Sequence, residues 1–255
     1  MDHDKPPNEK KARGSWPRCQ HFVRATREDV ANNLTLLVGL PGVVVSPGDA
    51  WMPSETTSAE CKLVDASPFL SDDQKAEVGK WWLTHSAGAN TPNWDIASTC
   101  RIQGNHGLIL IEAKAHAAEL HDDGKAVGKS GRSEENHERI GAAIKEASDA
   151  LRKTDAGFNL SANSHYQLAN RFAWSWKLAA IGVPVVLIYL GFLRADEMHD
   201  IGEPFVDEAD WARVVFKHSE GIVPDHVWGR PISLSTSGAA TFTPLIRSAF
   251  VAHSK

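Results

Sequence analysis

The sequence predicts an α/β domain with a mixed central sheet flanked by helices. Three observations carry that expectation. Residues 108–116 and 183–193 are apolar runs, the pattern of strands covered on both faces. Between them lie two amphipathic helical stretches, over 133–153 and 164–181. Strand, helices and strand in that order describe a crossover between parallel strands, right-handed by rule.

Residues 1–27 are polar and basic, with Lys5, Lys10, Lys11, Arg13, Arg18, Arg24 and Arg27 against Asp2, Asp4 and Glu9. They read as a solvated, frayed tail, with a nucleic-acid-contacting arm as the alternative. Residues 28–40 form a short helix ended by Leu40-Pro41-Gly42, and Val43-Val44-Val45 a brief strand. A firmer helix spans 71–86. Its capping-box pattern, Ser71-Asp72-Asp73-Gln74, satisfies free amides and sets acids at the positive end of the helix dipole; Val78, Trp82 and His85 follow at helical spacing.

Pro92 opens an extended segment over 93–102, and Gln103-Gly104-Asn105-His106-Gly107 turns it into the apolar strand 107–116 as a meander. Residues 121–133 are polar and rich in glycine and lysine, an exposed loop. Ser133 then opens a helix with Glu134 and Glu135 in its first turn and Ile140, Ile144, Ala147 and Leu151 as its buried stripe. In the next helix Leu168, Phe172, Trp176 and Ala179 face inward, and Gly182 and Pro184 end it. A last helix covers 207–218, followed by Pro-, Gly- and Ser-rich chain with short strand-like pieces.

The 255 residues suffice for one large domain, and the nine tryptophans argue for a real core. A formal charge of −5 argues against coating nucleic acid through a broad positive surface. Cys19, Cys61 and Cys100 are scattered and odd in number, so they suggest neither a disulfide framework nor a zinc knuckle and fit a reducing cytoplasm. There is no secretory pattern, and the greasiest stretch, interrupted by Gly182 and Pro184, is too short to span a bilayer. The expectation is a cytoplasmic protein with no membrane partner.

The chemistry concentrates in Thr91-Pro92-Asn93-Trp94-Asp95 and in Leu108-Ile109-Leu110-Ile111-Glu112-Ala113-Lys114-Ala115-His116. Residues two apart in a strand share a face, so Leu110, Glu112 and Lys114 project together, opposite Ile109, Ile111 and Ala113. Charges on so apolar a strand are costly unless paired or bound to metal, and Asp95 is the nearest compensating group. Two converging carboxylates repel, and a cation relieves that conflict. Mg²⁺ is held by one or two carboxylates with waters and phosphate oxygens, and it lowers the pKa of bound water. Lys114 stands one strand repeat from Glu112, where it can orient the attacking water or stabilise developing charge.

Helix, strand with Asp95, strand with Glu112-Ala113-Lys114, helices and apolar strand together resemble the core of the PD-(D/E)XK nuclease superfamily. The resemblance covers about residues 70–195. It implies a restriction-endonuclease-like core, Asp95 and Glu112 as ligands of Mg²⁺ (or Mn²⁺), Lys114 as the catalytic lysine, and phosphodiester hydrolysis in nucleic acid, DNA ahead of RNA. The family's named motif sets proline directly beside the first acid, whereas Pro92 lies three residues before Asp95. In domain terms the resemblance implies a nuclease-like core over 61–200, an N-terminal extension over 1–60 and a C-terminal extension over 201–255 packed on the core. A homodimer is compatible with this reading. The rival reading is a catalytically inactive nuclease-like module that binds nucleic acid or a protein partner.

Some members add a helix-borne acid before the strands, which falls on Glu77, or a glutamine on the helix after the E-x-K strand, which falls on Gln167. The bland alternatives are a solvated helix glutamate and a polar helix stripe that also holds Arg171, one turn on. Gly124-Lys125-Ala126-Val127-Gly128-Lys129-Ser130 looks like a phosphate loop but has three residues between the glycines where the motif needs four, which excludes nucleoside-triphosphate binding. Lys125, Lys129 and Arg132 remain as contacts for a passing phosphate backbone, against a merely solubilising loop. The histidines show no H-E-x-x-H or paired-cysteine spacing to support zinc, and His116 could border the site as an auxiliary base. Trp81-Trp82 and Trp174-Ser175-Trp176 could stack on bases, but their helical spacing fits a core better.

Overall fold

The computed structural model describes residues 13–54, 60–65, 68–85, 91–128, 130–234 and 238–251. In chain order the elements are α1 (Ser15–Phe22), α2 (Arg27–Val38), β1 (Val43–Val44), β2 (Trp51–Met52), α3 (Asp72–Trp82), β3 (Ile96–Ile102) and β4 (Asn105–Lys114). Then come α4 (Gly131–Arg152), α5 (Tyr166–Ala180), β5 (Val185–Phe192), α6 (Glu208–Ser219), β6 (Ile232–Ser233) and β7 (Thr241–Ala249). The fold is α/β on a mixed seven-stranded sheet of order β1-β3-β4-β5-β7-β6, with β2 also paired to β3.

β3 and β4 form an antiparallel hairpin. Gln103 and Gly104 turn it with φ of 51° and 81°, the left-handed geometry that matches the twist of two joined strands. β4 runs parallel to β5, joined by α4 and α5. β5 is buried at every position because helices cover both of its faces. Leu108, Leu110, Val185 and Leu187 pack into the core under α3, α4, α5 and α6. Ile109, Ile111, Ala113, Val186 and Ile188 pack with α1 and α2 on the other side. The alternation read from residues 108–114 thus separates the two cores.

Three expectations change. Residues 13–27 are not a frayed tail: α1 docks on the sheet, with Cys19 and Arg18 buried. Arg18 is held by Glu197 and by the Gly14 carbonyl, so its charge serves packing. The strand-like pieces near the C-terminus include the nine-residue β7, which pairs with β5 along its length inside the sheet. Strands from both ends of the chain therefore complete the sheet that β3, β4 and β5 begin. The loop after β4 is not free either: Lys125 N–H donates to the Ala162 carbonyl (2.7 Å), and Asp123 bridges Ser164.

Smaller shifts have local causes. α4 starts earlier than Ser133 because the Ser130 hydroxyl accepts from the Ser133 amide and caps it. α3 keeps its full capping box but ends at Trp82, leaving His85 outside the helix and bonded to Glu135 at 2.5 Å. The paired tryptophans are core: Trp81, Trp82, Trp174 and Trp176 pack with ring centroids 5.5–6.3 Å apart where α3 meets α5.

Candidate active site

The antiparallel register pairs Ile96 with Ile111, and one step further sets Asp95 opposite Glu112. Asp95 arrives there because the preceding chain is pinned. Trp94 exchanges two backbone hydrogen bonds with Cys61 (2.8 and 2.9 Å), and the Asn93 carbonyl accepts from Arg171 at 2.7 Å. The Asp95 carboxylate then accepts from the Ala113 amide at 2.7 Å, between Glu112 and Lys114.

Glu112 and Lys114 are both buried and lie 2.5 Å apart, Oε1 to Nζ. The other Glu112 oxygen accepts from Arg171 Nε at 2.6 Å. Arg171 also donates to Asn170 Oδ1 at 2.8 Å, and its guanidinium lies 4.6 Å from the Trp94 ring centroid. A buried carboxylate is thus met by two buried cations, one of them fixed by four separate contacts. That compensation makes the charges tolerable inside the protein.

The carboxylates titrate apart. Burial, and then the Glu112 charge, push Asp95 up to about 8, against the pull of Lys114, the Ala113 amide and Arg171. Burial also works against an ionised Glu112, but Arg171 and Lys114 outweigh it and hold its carboxyl below the usual range. Burial works against charge on Lys114 as well, and Glu112 and Asp95 reverse it, so the ammonium persists. One acid stays ionised while its neighbour holds a proton near neutrality, the outcome expected for two close carboxylates.

This cluster forms the floor of an open cleft of about 750 Å³. Gln167 lines the rim from the first turn of α5, with Tyr166 and Asn170 beside it. Five carboxylates line the cleft (Glu60, Asp95, Glu112, Glu119 and Asp123) against the cations Lys114, Lys125 and Arg171. With Asp95 holding its proton, the remaining carboxylates outnumber the cations by only one, and a bound cation would tip the wall toward an anionic ligand.

Asp95, Glu112, Lys114 and Gln167 all line this one cleft. Glu77 does not: it is exposed on α3, pairs with Lys177 at 2.7 Å, and is absent from the cleft lining. His116 is buried against Gly202, with Nε2 3.6 Å from Glu119, and it too lies outside the lining. Lys125 reaches the cleft across the Tyr166 ring, Arg132 is solvent-exposed outside it, and Lys129 lies outside the described residues.

Sequence reasoning missed two parts. Arg171 was visible only as a polar neighbour of Gln167, although one arginine among Leu168, Ala169, Phe172 and Ala173 signals a buried ion pair. Glu119 had no signal; it enters through a short 3-10 turn whose geometry lets it accept from the Ala115 amide at 2.7 Å.

Comparison with family models, curated proteins and solved structures yields no match, so the functional reading rests on the chain's own geometry.

Proposed function

We propose that the cleft is the active centre of a divalent-metal-dependent nuclease that hydrolyses phosphodiester bonds, in DNA ahead of RNA. Asp95 and Glu112 would hold Mg²⁺ or Mn²⁺. The observation that carries the reading is Asp95, an acid set beside a second acid at the floor of an open cleft. Its ionisation is disfavoured there until a cation arrives. Glu112 is already paired with two cations, and Asp95, held by the Ala113 amide, is the second acid that an incoming ion would bring to its charged form.

The chemistry follows from charge. A hard divalent ion accepts carboxylate and phosphate oxygens together, which inverts the repulsion between an acidic cleft and a phosphate. Bound there it supplies Lewis acidity and a more acidic water. Lys114 offers its ammonium as a point donor to that water or to the transition-state oxygens. Arg171 acts through Glu112, holding one carboxylate oxygen in place. Gln167 would support the water or a phosphate from the rim.

A second reading has its own observation. Both Glu112 oxygens are engaged by Lys114 and Arg171, which suits an inactive module that binds nucleic acid or a protein without turnover. Cleavage separates the two. DNA and RNA are incubated with the purified chain and Mg²⁺ or Mn²⁺, with and without EDTA, beside Asp95→Asn and Lys114→Ala. Metal-dependent cleavage, reduced roughly a hundredfold or more in each variant, supports the nuclease. Cleavage that ignores EDTA, or that persists in both variants, sinks it; tight metal-independent binding without turnover supports the module.

A further inference from the structure

We infer that Asp122, His165 and His218 form a second cation site, for a zinc-class ion, beside the cleft, next in sequence to its lining residues Asp123 and Tyr166. His165 Nε2 lies 2.9 Å and His218 Nδ1 lies 3.1 Å from the same oxygen, Asp122 Oδ1. The three donor atoms all fall within 4.8 Å of one another. Among the described residues this is the one cluster of three such donors, and Asp95 and Glu112 are not part of it.

The separations suit the ion. A tetrahedral Zn²⁺ with bonds of about 2.0–2.1 Å sets its ligand atoms about 3.3 Å apart. The two nitrogen–oxygen distances need to open by only a few tenths of an ångström. Two imidazoles and one carboxylate favour zinc-class ions over Mg²⁺, which takes oxygen ligands. Three protein ligands leave the fourth position to water.

The backbone holds the ligands ready. His165 adopts a left-handed conformation, φ 48°, immediately before α5. Its amide donates to the Asp122 carbonyl at 2.9 Å, and the Tyr166 amide donates to the Asp123 carbonyl at 3.0 Å. His218 comes from the last turn of α6 with its side chain 7% exposed, its ring 4.9 Å from that of His165. His165 Nδ1 is buried and without a protein partner. An ion here would tie the loop after β4, the start of α5 and the end of α6 into one unit. Asp123 and Lys125 on that loop, and Tyr166 and Gln167 on α5, line the cleft. The second ion therefore acts as a clamp that fixes the rim, separate from the reacting ion.

The test is a calorimetric Zn²⁺ titration of the full chain after EDTA treatment and dialysis, with Co²⁺ as the spectroscopic probe. Expected are one equivalent bound, a tetrahedral Co²⁺ visible spectrum, and a Tm rise of roughly 5–10 °C at a hundredfold excess over Kd. Asp122→Asn and His218→Gln should each weaken binding by at least roughly tenfold. If either variant fails to fold by circular dichroism, His165→Asn replaces it, because asparagine tolerates the left-handed backbone. Asp95→Asn should keep Zn²⁺ binding intact, so the site stands or falls independently of nuclease activity. No binding in the wild type, leaving a plain acid–imidazole hydrogen bond, overturns the inference. So does binding retained in the ligand variants, which puts the ion elsewhere.

Discussion

Asp95 holds a proton near neutrality because burial and the charged neighbour Glu112 both oppose its ionisation. An acid whose folded pKa of about 8 lies above its unfolded value of 3.8 binds its proton more tightly in the folded state. In metal-free protein, stability is therefore lost as pH rises from about 4 through about 8. Asp95→Asn should raise Tm in EDTA at pH 8 and flatten the decline, while its amide oxygen can still accept from Ala113. A melt series across pH checks this, and an unchanged slope would show that Asp95 ionises freely. Arg171 gives the opposite expectation. Arg171→Ala leaves Glu112 buried with one partner and should cost roughly 3–5 kcal/mol in urea denaturation. Arg171→Lys should recover only part, since a point charge cannot serve Glu112, Asn93 and Asn170 together. Of this residue-scale picture, Asp95, Glu112 and Lys114 were legible because charge on an apolar strand demands a partner. Arg171's partner was not, since 59 residues separate it from Glu112.

At the scale of elements, contacts distant in sequence decide what each segment does. α6 docks on β5 through Gly191, where an added Cβ would come within 2.5 Å of the fully buried Trp211 ring. Gly191→Ala should therefore destabilise the fold by about 1–3 kcal/mol, read as a lower denaturation midpoint with unchanged m-value. α1 is fastened by Arg18 and Glu197, and Arg18 above all holds the Glu197 carboxyl at about 2. Because that value is depressed from 4.5, the stability it contributes is present above pH 4.5 and lost as pH falls toward 2. Glu197→Gln should flatten the acid limb of the stability curve by about 1.5–3 kcal/mol in total, measured between those pH values. Helices and strands with strong periodicity were readable in place. α1 was hidden because its charges look solvated until a partner 179 residues away is known.

For the whole molecule, the sheet joins chain from residue 43 to residue 249, so its strands should melt together. β7 lies between β5 and β6, and its loss would expose an edge of β5 that is buried at every position. A chain ended after residue 234 should give no cooperative unfolding transition in urea denaturation followed by circular dichroism, and a full cooperative transition would overturn this. No helix among the described residues is long and apolar enough to cross a membrane. The sequence alone determined the α/β class, the crossover between β4 and β5, and the shared face of Glu112 and Lys114. Those follow from local periodicity, which each segment carries within itself. Tertiary structure decided the rest: β7 inside the sheet, α1 as core, Glu77 away from the cleft, and Arg171 locked on Glu112. Asp122, His165 and His218 likewise meet only once α6 folds back. Such pairings depend on where distant segments land, and burial and charge balance select them only after the chain has closed on itself.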